Sequence, residues 1–577
     1  MVGVAQLVRV SDCGSVGRGF ESLLPPKNDS KDEYIFMFIF FYALLSTESM
    51  KFRRFLLAGL FLVSSFGCFS QKNSYVLYFK DKPNNAKDQL EDCISNAAMY
   101  RRMKNNISFD TFDLPVNRAY INAVRNHGAE ILLVSKWLNC VVIQCDTLPD
   151  FTDCQFISRI IEITATGASI SNNEDVSFAP APSGNSYLDQ LSIVNGLPLH
   201  ENGFYGKGVV IAIMDDGFLR ANEINGLQHL FKENRVVAAK NFLDNASIYN
   251  TGSGHGSCVL SIIAGKTNAF SGAAPNAQFM LFRTEDINRE SLLEEYAWVV
   301  AAEYADSVGV DIISSSLNYS VMDDSSHSHS YSDMDGKTCP ISIGAQIAAS
   351  KGILVVSSAG NDGASEWKYV SAPADAQDVI TVGGVTMEGN RWYGSSVGPT
   401  ADGRIKPDIC ALSADVVMIN PVNDNLLTMS GTSFAAPVIA GFFACMVEAF
   451  PNSPSSYLKH VVYNTSSDAE TPNNEIGYGV PDFEQAYCIV GIVDPEAQFV
   501  NYRVYPNPFS SSVSISCTRP IYSVCVFSVD GQQLPFSEEI IDDTNVKLSL
   551  LSSYKGYVII RIVLSNYHCK TFVTYRY

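Results

Sequence analysis

Met429–Ser430–Gly431–Thr432–Ser433–Phe434–Ala435–Ala436–Pro437, with the apolar run 438–450 behind it, is the stretch around which the chain is organised. The run predicts a helix, and the serine then stands at its mouth. There, unsatisfied N–H groups and the positive end of the helix dipole face any negative charge that develops. Pro437 is expected in the first helical turn, where a missing N–H costs least. Gly431, Ala435 and Ala436 leave room for another backbone to approach. A nucleophilic hydroxyl needs that setting, yet Gly-Thr-Ser before a helix serves equally well as an N-cap. The partners decide.

Three upstream stretches supply candidates. Gly208–Val209–Val210–Ile211–Ala212–Ile213–Met214 is an apolar run of strand length that ends at Asp215–Asp216–Gly217. Its unbroken pattern suits a strand covered on both faces of a parallel sheet, and the C-terminal edge of such a sheet is where these folds place chemistry. An Asp-Gly turn is the plain alternative. Gly252–Ser253–Gly254–His255–Gly256–Ser257 sets a histidine at the start of an apolar helical run. An imidazole exchanges protons near neutral pH, although a lone histidine here is ordinarily a surface or cap residue. Ser358–Ala359–Gly360–Asn361–Asp362–Gly363 offers an asparagine whose amide could donate to an oxyanion, or that simply turns the chain. Strand-like runs at 278–282, 310–314, 353–357 and 379–385 alternate with helix-like runs at 291–308 and 341–350. This alternation predicts an α/β fold with a doubly wound parallel sheet.

The order Asp215, His255, Asn361, Ser433 is that of the subtilisin triad with its oxyanion asparagine. The chain resembles the subtilases, the subtilisin-like serine peptidases, on five segments in sequence. They are Ala212–Ile213–Met214–Asp215–Asp216–Gly217, His255–Gly256–Ser257, Gly272–Ala273–Ala274–Pro275, Ala359–Gly360–Asn361–Asp362–Gly363 and Gly431–Thr432–Ser433–Phe434–Ala435–Ala436–Pro437. The resemblance spans residues 190–490 and implies a secreted endopeptidase acting on proteins or peptides. In that reading Ser433 attacks the scissile carbonyl, and His255 takes the proton and returns it to the leaving amine. Asp215 holds the imidazole, while the Asn361 amide and the Ser433 N–H bind the oxyanion. Ile313–Ser314–Ser315–Ser316–Leu317–Asn318 resembles the segment that pairs with the substrate main chain as an added strand, which makes Ser316, Leu317 and Asn318 candidate substrate-binding residues. Glycine is usual at Asn318, and asparagine tolerates left-handed backbone better than most residues. Asp216 stands where serine or threonine is common and is assigned no catalytic part. Cys258 and Val438 stand where histidines are common; both are expected to pack inside helices, Cys258 as an inert thiol.

Other readings are weaker on the same residues. An α/β-hydrolase esterase is disfavoured by the missing G-x-S-x-G elbow and the different chain order. A catalytically inactive binding or adhesion protein on the same fold is the alternative. A net charge of -20 leaves no basic face for nucleic acid. The 14 cysteines contain no CxxC pair, so no zinc ribbon or thioredoxin motif is present. No cofactor is expected for the reaction. Calcium, which subtilases often bind, is the structural ion the resemblance allows, with Asp333 and Asp335 as its ligands, but the missing EF-hand spacing favours a solvated loop.

At 577 residues, three or four structural units are expected. Residues 1–49 read as a mis-called extension, because the opening residues look like translation through a transfer-RNA gene. Met50–Lys51–Phe52–Arg53–Arg54 and the apolar run 55–66 then form a signal peptide over 50–70, with no membrane span left once it is removed. Cys68 after Gly67 resembles a lipoprotein site, but Phe66 is an awkward neighbour. Strand-like runs at 75–79, 130–134 and 141–144 and helix-like runs at 87–103 and 116–127 make 71–180 a small α+β domain. It resembles a subtilase propeptide, which makes the chain a zymogen cut by itself between 166 and 185. Residues 499–577 read as a small β-sandwich with an Asp530–Gly531 hairpin turn. Val504–Tyr505–Pro506–Asn507–Pro508–Phe509 looks like the start of a type IX secretion sorting domain, which implies that machinery as a partner and export through the periplasm.

Overall fold

A computed structural model describes residues 73–83, 94–163, 186–493, 502–517, 520–529, 532–564 and 569–577. The extension, the signal, the expected maturation stretch 166–185 and the Asp530–Gly531 turn lie outside the described residues.

The first domain contains β1 (Asn73–Phe79), α1 (Asn96–Lys104), α2 (Arg118–Asn126), β2 (Glu130–Ser135), β3 (Cys140–Cys145) and β4 (Ile157–Ile163). The strands form an antiparallel sheet ordered β2-β3-β1-β4. Successive side chains of a strand point to opposite faces. Thus Tyr75, Leu77 and Phe79 pack with Val124 of α2, while Val76 and Val142 face the other way, onto Tyr296 and Ala297 of the following domain. Of the helix expected over 87–103, residues 87–93 lie outside the described residues; α1 begins at Asn96, where the Ser95 hydroxyl accepts the Ala98 N–H at 3.1 Å and caps it.

The central domain runs β5 (Val210–Asp215), β6 (Val236–Asn241), α3 (His255–Ala264), β7 (Gln278–Arg283), α4 (Leu292–Val308), β8 (Ile312–Ser315) and α5 (Pro340–Ser350). It continues with β9 (Leu354–Ser358), β10 (Ile380–Val385), β11 (Ile409–Leu412), the hairpin β12 (Val416–Ile419) and β13 (Leu426–Met429), and α6 (Thr432–Ala449). Seven strands pair in parallel in the order β11-β10-β9-β8-β5-β7-β6. Helices α3 and α6 cover one face and α4 and α5 the other, so the expected doubly wound sheet is present. Strand order reverses at β5, which puts Asp215, its last residue, at the switch point where open α/β sheets bind ligands. Helix α6 is long and apolar enough to cross a membrane, but 89% of it is buried inside the protein, as a core helix is.

One expectation is corrected. The helix starts at Thr432, so Pro437 is its sixth residue and lies inside it, not in its first turn. The missing N–H therefore orphans the carbonyl of Ser433, four residues back. The Ser316 hydroxyl donates to that carbonyl at 2.8 Å and replaces the lost bond.

The C-terminal strands follow α7 (Ser455–Asn464) and α8 (Phe483–Val493): β14 (Tyr502–Tyr505), β15 (Ser512–Cys517), β16 (Ile521–Ser528), β17 (Phe536–Asp542), β18 (Asn545–Leu550), β19 (Gly556–Leu564) and β20 (Cys569–Arg576). Two sheets, β14-β15-β18-β17 and β16-β19-β20, enclose one apolar core that includes Val513, Ile515, Val526, Leu548 and Ile560. This is a small sandwich.

The first domain is clamped to the central one by buried charge. Arg101 donates to the carbonyls of Val310 at 2.5 Å and Lys351 at 3.1 Å, just beyond the C-terminal ends of α4 and α5, and pairs with Asp306 in the last turn of α4. Arg102 bridges Asp306 at 2.8 Å and Asp113 at 2.7 Å, and Lys351 binds Asp113 at 3.1 Å. Removing one partner of a buried pair strands the other charge. Asp306→Ala is thus expected to lower the unfolding free energy of the full chain by about 3–5 kcal/mol in urea denaturation, whereas a loss under about 1 kcal/mol would show the clamp to be idle.

Candidate active site

The site is built where β5 ends. Asp215 is fully buried, and its Oδ1 accepts the Asp216 N–H at 3.0 Å and meets His255 Nδ1 at 2.9 Å. Its Oδ2 is buried without a hydrogen-bond partner. His255 is the first residue of α3, after Gly254 at φ +97°. Gly256 makes the approach feasible: a Cβ there would lie 2.2 Å from Gly217 O and 2.9 Å from Asp215 Cβ. A side chain at this position would push the helix off the strand end.

Burial alone would lower the His255 pKa, but the charge and hydrogen bond of Asp215, joined by Asp216, outweigh it and raise the pKa. The same field stabilises an imidazolium once a proton is accepted. Asp216 is pushed up to about 6 by burial and by Asp215, against the pull of His255 and the Ser253 bonds. Its Oδ2 accepts both the N–H and the hydroxyl of Ser253 at 2.6 Å, so Asp216 shapes the loop that leads into His255.

The next residue after Ser433 touches the histidine: the rings of Phe434 and His255 lie 5.4 Å apart. Ser433 is 8% exposed, at the second position of α6, and its hydroxyl donates to Ser316 O at 3.4 Å. The exchange is reciprocal with the Ser316 bond described above, so the start of α6 and the segment after β8 are tied at two points. Asn361 comes from the turn after β9. Its Oδ1 accepts the Thr432 N–H at 2.9 Å and the Thr432 hydroxyl at 3.0 Å, which fixes the amide with Nδ2 as its free end. A Cβ on Gly431 would lie 3.5 Å from that nitrogen.

Of the three candidates on the substrate segment, Ser316 faces Ser433, whereas the Leu317 side chain is 4% exposed and packs in the core. Asn318 keeps out of the left-handed backbone region, contrary to what a glycine replacement suggested. It instead exchanges hydrogen bonds with Ser358, donating to the carbonyl and accepting from the hydroxyl, each at 2.9 Å. Asp333 and Asp335 are spent on local caps, the first on Ser330 N and the second on Lys337 N and Thr338 N. Cys258 and Val438 are fully buried, and burial raises the Cys258 thiol pKa. The Ser316–Ser433 exchange and the Thr432 grip on Asn361 escaped the sequence reading. The only hint was Pro437 itself, whose misplaced turn concealed an orphan carbonyl.

Residues 206–479 match the subtilase family and residues 74–177 match the peptidase S8 propeptide domain of Bacteroidota. Subtilisin DY of Bacillus licheniformis is 27% identical over 281 residues, covering 48% of this chain and 90% of that protein. Subtilisin-like protease SBT6.1 of Arabidopsis thaliana is 27% identical over 346 residues, or 56% of this chain; the match spans only 30% of the length of that relative. Among solved structures, the epidermin leader peptide processing serine protease of Staphylococcus aureus superposes with TM-score 0.50 at 16% identity, covering 73% of this chain and 98% of that one, a likeness of fold. The parallel sheet, the strand-end carboxylate beside a helix-start histidine and the two family matches agree: this chain carries a subtilase-family, subtilisin-like serine peptidase domain behind a peptidase S8 propeptide domain.

Proposed function

We propose that the protein is a secreted serine endopeptidase that cleaves peptide bonds through an acyl-enzyme on Ser433. The observation that carries the reading is the 2.9 Å contact of a buried, otherwise underused carboxylate, Asp215, with His255 Nδ1. That contact leaves Nε2 as the nitrogen for the serine proton. His255 takes the proton as the Ser433 oxygen bonds to the scissile carbon, then protonates the leaving amine; water repeats the cycle in reverse. The oxyanion is received by Asn361 Nδ2 and by the Ser433 N–H, which lies in the first turn of α6. The substrate main chain pairs with 316–318 as an added strand, and its preference is set by groups other than the Leu317 side chain.

Labelling with a fluorophosphonate that disappears in Ser433→Ala is the direct test, since an inactive binding protein would not label at all. Asn361→Ala is expected to lower kcat by about 10²–10³ with little change in KM, the size of loss known for the corresponding subtilisin residue. Unchanged turnover would remove Asn361 from the oxyanion site.

Residues 71–180 act as the chain's own inhibitor and folding aid until cut, and 499–577 direct export by a type IX system. Deleting 499–577 should then leave the enzyme in the periplasm; release into the medium at the parent level would refute that route.

A further inference from the structure

The propeptide domain carries a cluster that peptide hydrolysis does not use. His127 follows α2 as its C-cap residue, and Asp153 and Cys154 sit in the loop before β4. His127 Nδ1 lies 2.9 Å from Ala123 O, a carbonyl that can only accept, so the Nδ1 proton is committed there. Nε2 then presents a lone pair 3.1 Å from Asp153 Oδ1, a second acceptor, and 4.0 Å from Cys154 Sγ. Two acceptors at that distance need a cation between them, either a proton or a metal.

The sulfur favours the metal. A proton on Nε2 joins only the imidazole and the carboxylate, whereas imidazole, thiolate and carboxylate together are a donor set for a divalent transition ion, zinc foremost. Ligands on a tetrahedral zinc would stand about 3.4 Å apart for N and O and about 3.6 Å for N and S. The observed separations differ from these by a few tenths of an ångström, and all three ligand atoms lie within 4.8 Å of one another. The backbone carbonyl on Nδ1 is also the usual outer partner that fixes a zinc-binding histidine. The Phe151 ring, 5.1 Å from the imidazole, closes one side.

We propose that His127, Asp153 and Cys154 bind one zinc-like divalent ion, with a fourth position open to water. The cluster draws on α2 and the 150–154 loop, on the outer side of the propeptide sheet where Val124 and Cys154 pack. The face that meets α4 is the opposite one. A bound ion therefore staples the helix to the loop without obstructing the clamp. Metal binding brings the thiolate, and the thiol proton is released to solvent.

The test uses the full chain with Ser433→Ala, so that its outcome is independent of the peptidase reading. Titration with cobalt(II) is expected to give a thiolate-to-metal charge-transfer band at one equivalent, displaced by zinc and lost in both Cys154→Ser and His127→Ala. Asp153→Asn alters a side chain that is 74% exposed, so folding is spared, and it is expected to weaken binding on the order of tenfold. Absence of the band, or its survival in either Cys154→Ser or His127→Ala, would overturn the site.

Discussion

Ser433→Ala is expected to lower kcat by about 10⁶, and with it to abolish labelling and self-processing. Losses of that order follow removal of the serine from subtilisin, the type member of the family. The physical reason is that the acyl-enzyme route disappears while the rest of the site survives. The Asn361 amide and the orphan N–H groups of α6 still face the carbonyl, so a residual acceleration of about 10³–10⁴ over water should remain. Folding is little affected, because the hydroxyl makes a single contact of 3.4 Å to Ser316 O, and the bond that restrains the helix is donated by Ser316 to the Ser433 backbone. Single-turnover assays with the purified enzyme decide it. Turnover within tenfold of the parent would mean that another nucleophile operates.

Asp215→Asn comes second, with kcat falling by about 10⁴. The amide matches the carboxylate in shape, and Asp215 is fully buried, so the side chain stays in place. Its chemistry changes. A carboxylate can only accept from His255 Nδ1–H, whereas an amide can turn its NH₂ to that nitrogen and hold the opposite tautomer, with the proton on Nε2 where the serine proton must go. The pH dependence gives an independent sign. Asp215 raises the His255 pKa, so removing its charge should move the ascending limb of kcat/KM to lower pH even as the plateau collapses. A fall in rate with no movement of that limb would assign Asp215 a structural role alone.

Much of this was legible in the chain. The apolar run into Asp215, the glycine-flanked His255 and the Gly431–Pro437 stretch each carry a local constraint: a doubly covered strand, a close approach, a helix start. Local constraints are written in neighbouring residues. The Asn318–Ser358 exchange was not legible, since it replaces a backbone role by a side-chain bond to a strand 40 residues away. Nor was the Arg101–Arg102–Asp306 clamp, whose partners lie more than 200 residues apart. In the separate helices those charges look like ordinary solvated surface.

The alternation of strand and helix in the central domain and the candidacy of Asp215, His255, Asn361 and Ser433 came from sequence alone, because periodicity and punctuation act over a few residues, whereas strands β6 and β11 and the reversal at β5 came from the fold. The tertiary structure decided which hydroxyl rescues the carbonyl that Pro437 orphans, which end of the Asn361 amide is free, and that His127 and Cys154 meet. Each of these depends on a distance between segments that only the packed core brings together, and no spacing along the chain encodes it.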